Sequence, residues 1–217
     1  MTANNLIASK KHNCIWIATD AASYYDNGVV AEFKSKVHAI PEWSAAITGR
    51  GNSFGLDTAT RELTRRSSSF DELVSIASRE LPLIVEEFRL YRPFELNLAG
   101  FFCGRPMIFF IRTAGGHDSI EWGSAPNLLL PAGPTLFGPW PGDVATCVAP
   151  DPDDAPEDIV NGLRELMKLQ RQVAAEDGYS RVGGYAELTT VSPDNIETQV
   201  FHHWPDDQIG QPMTTER

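Results

Sequence analysis

The order in which strand-like and helix-like segments follow one another limits the folds that this sequence can adopt. Short apolar runs bounded by turn residues come in pairs, and three segments carry apolar residues at helical spacing. The paired runs lie at the start, in the middle and at the end of the chain, and the helical segments separate them. Alternating strand–helix units would instead build a parallel sheet. The order therefore predicts an α+β protein with mainly antiparallel sheets.

The strands are predicted from apolar runs that end at turn residues. Leu6–Ile7 and residues 14–18 form a first hairpin with its turn at 10–13. Eight of the fifteen prolines lie between Pro126 and Pro156, so short strands or loops are expected at 128–149. Further strands are predicted at 29–33, 36–40, 44–48, 95–102, 107–113, 184–192 and 196–204.

The helices are predicted from their caps and apolar stripes. The first covers 52–66, with Asn52 or Ser53 as its N-cap. The second begins with the capping-box pair Ser69 and Glu72 and ends before Pro93. The third follows the DPDDAPED run, with Asp154 as N-cap and Pro156 in its first turn. Each stripe must face a core.

Length and composition fit one globular domain. Of the 217 residues, 42% are hydrophobic and 22% are charged, as in average folded chains. We expect a single domain over 1–204, followed by a polar and mobile C-terminal tail over 205–217. The sequence has no run of about 18 apolar residues and its start lacks the pattern of a signal peptide, so we expect a soluble, cytoplasmic protein that does not contact membranes.

Charge and cysteine usage exclude several classes of function. The 29 acidic and 18 basic residues give a net charge of -11, which repels a phosphate backbone and argues against nucleic acid as a partner. Cys14, Cys103 and Cys147 lack the spacing of a zinc site, and the histidines show no ligand pattern. The GRGNSFG segment lacks the lysine of a phosphate-binding loop. We therefore expect neither a metal nor a cofactor.

Three segments carry a spacing that points to a family. IATDAA contains Asp20, and SKVHAI supplies Lys36 sixteen residues later, ahead of a strand and an ITGRG turn. EDGYSRVGG supplies Asp177 and Ser180 before a glycine pair. In these positions the chain resembles the proteasome-like branch of the N-terminal-nucleophile hydrolases.

The resemblance extends over about residues 2–204. It includes a Gly-Ser step that ends in Ser124, where the family often has another active-site serine. It implies a four-layer αββα sandwich, in which two stacked, mainly antiparallel sheets are flanked by helices. It also implies a homo-oligomer, arranged as a ring or shell.

The resemblance further implies a threonine nucleophile. Removal of Met1, which a small second residue favours, makes Thr2 the terminal residue, whose hydroxyl attacks while its own α-amine acts as base. Lys36 would disfavour protonation of that amine, and Asp20 would orient the lysine. The backbone N–H of Gly49, or of the next residue, would stabilise the oxyanion from a tight turn after the strand.

Three functions remain open at this stage. The first is a cytoplasmic hydrolase of peptide or other amide bonds. The second is a proteasome-like protein that has lost this chemistry and serves as an assembly or binding module. The third is an acylase that acts on a small amide. The state of the N-terminus separates the second from the others, since a retained Met1 blocks the terminal-threonine mechanism.

Overall fold

A computed structural model describes residues 3–114, 125–142, 145, 148–173 and 178–215. Within these ranges the chain is a mixed α+β protein with three α-helices and three β-sheets. The strands of each sheet pair in antiparallel fashion. The predicted α+β class is therefore confirmed.

The strands and helices alternate in blocks, as expected from the sequence. In chain order they are β1 (Asn4–Ser9), β2 (Cys14–Asp20), β3 (Ala22–Tyr24), β4 (Val30–Phe33), β5 (His38–Ile40), β6 (Ala45–Gly51), α1 (Ser53–Arg65), α2 (Phe70–Glu87), β7 (Phe94–Phe102), β8 (Arg105–Arg112), β9 (Leu130–Gly133), β10 (Thr135–Gly138), α3 (Pro156–Gln172), β11 (Tyr185–Val191) and β12 (Ile196–His203).

Two five-stranded sheets make up most of the structure. The first has the strand order β10-β1-β2-β11-β12, and the second has the order β5-β6-β7-β8-β9. A small third sheet consists of β3 and β4. The predicted hairpin of β1 and β2 is confirmed, with Asn4 opposite Thr19 and with Asn13 in the left-handed region of its turn at a φ of +50°. The hairpin fixes residues 4–9 in the first sheet.

Three buried clusters link these elements. The first joins α1 and α2 to the second sheet, the second joins α3 to the first sheet, and the third contains side chains from both sheets. Representative members are Leu63, Leu81 and Leu98 in the first cluster, Ile7, Trp16 and Leu163 in the second, and Leu6, Ile17 and Ile108 in the third. In the described ranges no helix is both long and apolar enough to cross a membrane.

Two of the three predicted helix caps are confirmed. The Asn52 side chain accepts a hydrogen bond from the N–H of Gly55 at 2.9 Å, and the Ser69 hydroxyl accepts from the N–H of Glu72 at 3.2 Å. The prediction of Asp154 as the third cap is wrong, because Ala155 occupies that position. The Asp154 carboxylate instead accepts from the N–H of Asp151 and closes the preceding turn.

The second sheet differs from the prediction in two places. Strand β6 continues through Gly51, where a turn was expected from residue 49 onward, because residues 49–51 pair with Phe94–Leu96 of β7. The ladder of backbone hydrogen bonds thus outweighs the turn tendency of the two glycines. Strand β5 begins at His38, so Lys36 precedes the strand that was expected to contain it.

Residues 210–213 pack onto the domain, in a segment where a mobile tail was expected. Met213 is 1% exposed. The N–H of Val30 donates to the carbonyl of Gln211 at 3.0 Å, and the N–H of Gly210 donates to the carbonyl of Val30 at 2.9 Å. Backbone pairing and one buried apolar side chain therefore hold a segment whose polar composition gave no sign of it.

Candidate active site

Asp20 is the last residue of β2, and its side chain is fully buried. One carboxylate oxygen accepts from the N–H of Ala3 at 2.9 Å and from Lys36 Nζ at 3.0 Å. The other accepts from the N–H groups of Ala22 and Gly183, each at 3.2 Å. Because all four partners are donors, the ionised carboxylate is the form that fits this geometry.

The register of the first hairpin brings the start of the chain to Asp20. Asn4 lies opposite Thr19, so one further step along the antiparallel pair sets Ala3 beside Asp20. Ala3 is fully buried and follows Thr2 in the sequence. Thr2 itself lies outside the described residues. The N–H of Ala3, the first residue that the structure describes, thus donates a hydrogen bond to the Asp20 carboxylate.

Lys36 reaches Asp20 from the link between β4 and β5. The third sheet folds back onto the end of β2, where the N–H of Lys34 donates to the carbonyl of Ala21 at 3.0 Å. This contact directs the following residues toward Asp20. The Lys36 side chain is 12% exposed, so the ammonium group and its carboxylate partner form a nearly dry ion pair.

Burial and charge act in opposite directions on this pair. Burial lowers the pKa of Lys36. The attraction of Asp20 raises this pKa, and repulsion from Lys34 lowers it further. Burial also raises the pKa of Asp20, while Lys36 and the N–H groups of Gly183 and Ala3 lower it. The pair therefore offers an ammonium group that loses its proton more easily than a solvated lysine and is held in one orientation.

The segment 180–184 supplies the third wall of the site. Ser180 is fully buried, and its hydroxyl donates to the carbonyl of Val182 and accepts from the N–H of Val182, both at 3.1 Å. These bonds lie within the segment and shape the turn that presents the Gly183 N–H to Asp20. Gly184 adopts a φ of +77°, which favours glycine. The predicted glycine pair thus contributes directly to the site.

Gly49 lies on the second sheet in the interior of β6, opposite Leu96. A Cβ at this position would collide with the backbone of Glu95 and with the side chain of Leu56. Glycine is therefore required here by the close packing of β6 against its neighbours. The expected tight turn at this residue is wrong, and oxyanion stabilisation by its N–H stays a prediction.

A small polar pocket begins at Asn4, one residue after Ala3. Arg50 and Glu95 form an ion pair in its lining, and Asn97 lines it as well. Asn4 and Asn97 are each 2% exposed. The lining thus combines these polar side chains with the apolar side chains of Phe110, Leu136 and Phe137.

Three of the seven predicted site residues, Thr2, Ser124 and Asp177, lie outside the described residues. The structure brings Asp20 and Lys36 into direct contact and sets Ser180 in the adjoining segment. No sequence pattern pointed to the N–H groups of Ala3 and Ala22, because every residue except proline has a backbone donor. Where the chain is described, there is no group of three or more histidine, cysteine, aspartate or glutamate side chains that can hold a metal ion.

The comparisons with known proteins leave the family of this chain open. No protein-family model matches it, and no curated protein is significantly similar to it. An assignment of function therefore depends on the contacts of Asp20 and Lys36 and on the segments that hold them.

Proposed function

We propose that this chain is a proteasome-like N-terminal-nucleophile hydrolase that cleaves amide or peptide bonds with Thr2 after removal of Met1. One observation carries the proposal. The buried carboxylate of Asp20 binds both Lys36 Nζ and the N–H of Ala3, the residue that follows Thr2. A lysine held beside Ala3 supports a terminal nucleophile, because its positive charge disfavours protonation of a nearby amine, which can then act as the base.

The proposed reaction proceeds in two halves. The hydroxyl oxygen of Thr2 attacks the carbonyl carbon of the substrate, and its proton passes to the α-amine, whose ordinary pKa is about 7.7 to 8.0. The amine then protonates the leaving nitrogen, and the acyl group remains on Thr2 as an ester. Water, activated by the same amine, hydrolyses the ester. The positive charge of Lys36 disfavours protonation of the amine, and Asp20 keeps that charge in place.

The four-layer αββα arrangement is part of the proposal. It is supported by the cluster that joins α1 and α2 to one sheet and by the cluster that joins α3 to the other. The third cluster, with members such as Ala8 from the first sheet and Ala99 from the second, supports direct stacking of the sheets. Asn4 at the start of β1 lines one pocket with Arg50 and Asn97 of the second sheet, which also supports this stacking.

Assembly into a homo-oligomer is a further part of the proposal. In the proline-rich region, Leu128 is 45% exposed and Trp140 is 38% exposed, and both are suited to a subunit contact. The net charge of -11 opposes close association, so added salt should tighten an apolar contact. Light scattering at low and moderate salt tests this. A monomer at micromolar concentration under both conditions would contradict it.

The proposed activity is tested by the mass and the reactivity of the N-terminus. Mass spectrometry of the native protein should show a chain that begins at Thr2. A peptide vinyl sulfone should label that residue, and Thr2→Ala should abolish the labelling without unfolding the protein, because it removes the hydroxyl and keeps the amine. Thr214→Ala, which removes an exposed hydroxyl near the other end of the chain, is the matched control.

Other outcomes select the alternatives. A retained Met1 with no labelling indicates a proteasome-like assembly or binding protein without this chemistry. Labelling at Thr2 with turnover of small amides but not of peptides indicates an acylase. Undiminished labelling of Thr2→Ala, mapped to another residue, would contradict the assignment of the nucleophile.

A further inference from the structure

A buried ion pair joins the end of α3 to the C-terminal segment, defined as residues 204–213. The Arg171 and Asp207 side chains are each 3% exposed. Arg171 Nη2 donates to one carboxylate oxygen of Asp207 at 2.6 Å, and Nη1 donates to the other at 2.7 Å. This is a two-point contact, which fixes the orientation of both side chains.

The same pair binds the segment that reaches Asp20. Arg171 Nη1 also donates to the carbonyl of Val182 at 2.6 Å. The N–H of Gly184 donates to the Asp207 carboxylate at 2.6 Å. The pair thus binds the residues on both sides of Gly183, whose own N–H donates to Asp20 at 3.2 Å. The Val182 carbonyl and the Gly183 N–H belong to one planar peptide unit, so rotation of that unit would turn the N–H away from the carboxylate.

The surroundings of Gly183 leave no room for a side chain at this position. A Cβ on Gly183 would collide with Arg171, with Asp207 and with the sulfur of Met213. Met213 also accepts, through its carbonyl, a hydrogen bond from the N–H of Ser180 at 3.0 Å. The N–H of Trp204 donates to the carbonyl of Gly184 at 3.0 Å, so the C-terminal segment holds the segment 180–184 at both of its ends.

We propose that Asp207, together with Arg171, is a positioning residue for the hydrolase site, fixing the Gly183 N–H so that it keeps the Asp20 carboxylate turned toward Lys36. For its effect on activity the inference rests on the proposed function. Its structural part does not, because the hydrogen bond from Gly183 to Asp20 can be measured in an inactive protein.

The chemistry of the pair supports positioning over simple stabilisation. Two charges lose their hydration on burial, and an apolar pair of similar volume is often at least as stable. Such an apolar pair would keep the packing but could not bind the Val182 carbonyl or the Gly184 N–H. Replacement of both residues therefore separates stability from positioning.

The test is the double variant Arg171→Met with Asp207→Leu, which leaves the net charge unchanged. We expect it to fold, with a melting temperature within about 5 °C of wild type. The maximal rate of labelling by the vinyl sulfone should fall about 3- to 10-fold, as expected for one weakened hydrogen bond. The half-saturating concentration should stay the same, because Asp207 and Arg171 act on the orientation of Asp20 and do not touch the labelling reagent.

Amide exchange provides the readout that is independent of activity. In the double variant the Gly183 N–H should exchange at least about 10-fold faster than in wild type. If the wild-type protein is not labelled, the proposed function fails, and the exchange rate alone decides the inference. A folded double variant that labels and exchanges as wild type does would overturn it.

A second variant tests the same inference if the double variant does not fold. Asp207→Asn should speed the exchange of Gly183 and slow labelling at neutral pH, since the amide has one acceptor oxygen in place of two and its NH₂ group would oppose the N–H donors of Arg171 or Gly184. Asp206→Asn makes the same change of charge at the neighbouring, exposed residue and should leave both rates unchanged. Equal effects of the two variants would show that charge, and not position, is responsible.

Discussion

Lys34 and Lys36 lie two residues apart in one segment, and they occupy opposite environments. Lys34 Nζ lies 3.0 Å from Glu32 and 3.7 Å from Asp57, with 37% of its side chain exposed. Lys36 Nζ lies 3.0 Å from Asp20 with only 12% exposed. The hydrogen bond to Glu32 raises the pKa of Lys34, whereas burial lowers the pKa of Lys36.

The contrast shows that the surroundings, and not the residue type, create the candidate catalytic lysine. Around Lys34, water can replace each partner, so an exposed ion pair contributes about 0 to 1 kcal/mol. Around Lys36, water is largely excluded, so neither partner can be removed without leaving a buried charge or shifting its protonation. The following experiments test this difference between the two lysines.

Removal of Asp20 should have the largest effect on stability. Asp20→Ala leaves the Lys36 ammonium without its carboxylate and leaves three N–H groups, those of Ala3, Ala22 and Gly183, without an acceptor. We expect a loss of about 3 to 5 kcal/mol in the free energy of unfolding, measured with urea at neutral pH.

Asp57→Ala is the control for this experiment, because it removes an exposed carboxylate from Lys34. We expect its effect to stay within about 0.5 kcal/mol. Equal losses for the two variants would contradict the distinction between the buried and the exposed pair.

Removal of Lys36 should have the next largest effect, on activity. Lys36→Ala should lower labelling of Thr2 by about 100-fold or more, because the positive charge beside the α-amine is lost. Lys34→Ala should change the rate less than about 2-fold. Circular dichroism and light scattering should show that both variants keep the fold and the assembly of wild type. A fully active Lys36→Ala would contradict the proposed mechanism.

Local rules predicted much of the fold from the sequence. Asn52 and Ser69 cap helices through contacts with residues three positions ahead, and the first hairpin follows from two apolar runs and a short turn. Strand β3 was missed because its three residues are too few to show alternation. The cap of α3 was missed because Asp154 closes an earlier turn.

The site itself was predictable only in part. The contact of Asp20 with Lys36 was expected because their spacing resembles that of a known family. No local sequence pattern encodes this contact. The pair Arg171 and Asp207 joins positions 36 residues apart, one at a helix end and one in a polar segment. A contact of this kind depends on how the whole chain packs, so neither residue stood out in the sequence.

The pH dependence of labelling should reveal the lowered pKa of Lys36. The rate should rise as the α-amine of Thr2 loses its proton and fall again as Lys36 loses its own. Because burial lowers the pKa of Lys36, the alkaline limb should lie below the pH at which an ordinary lysine titrates, about 10.4. Lys36→Arg, which stays charged, should move that limb to higher pH. Coinciding alkaline limbs in wild type and Lys36→Arg would show that another group controls it.

The smallest effect should come from salt, which of the two lysines should affect only the contribution of Lys34. In 1 M NaCl the screening length falls to about 3 Å, which weakens attraction between exposed charges and reaches buried pairs much less. At low salt Lys34→Ala should cost up to about 0.5 kcal/mol of unfolding free energy, and in 1 M NaCl that difference should vanish. The loss caused by Asp20→Ala should persist at both salt concentrations, because the Asp20 side chain is fully buried. If salt removed both differences equally, water and ions would reach Asp20 as freely as they reach Lys34, and a dry ion pair at the candidate site would be ruled out.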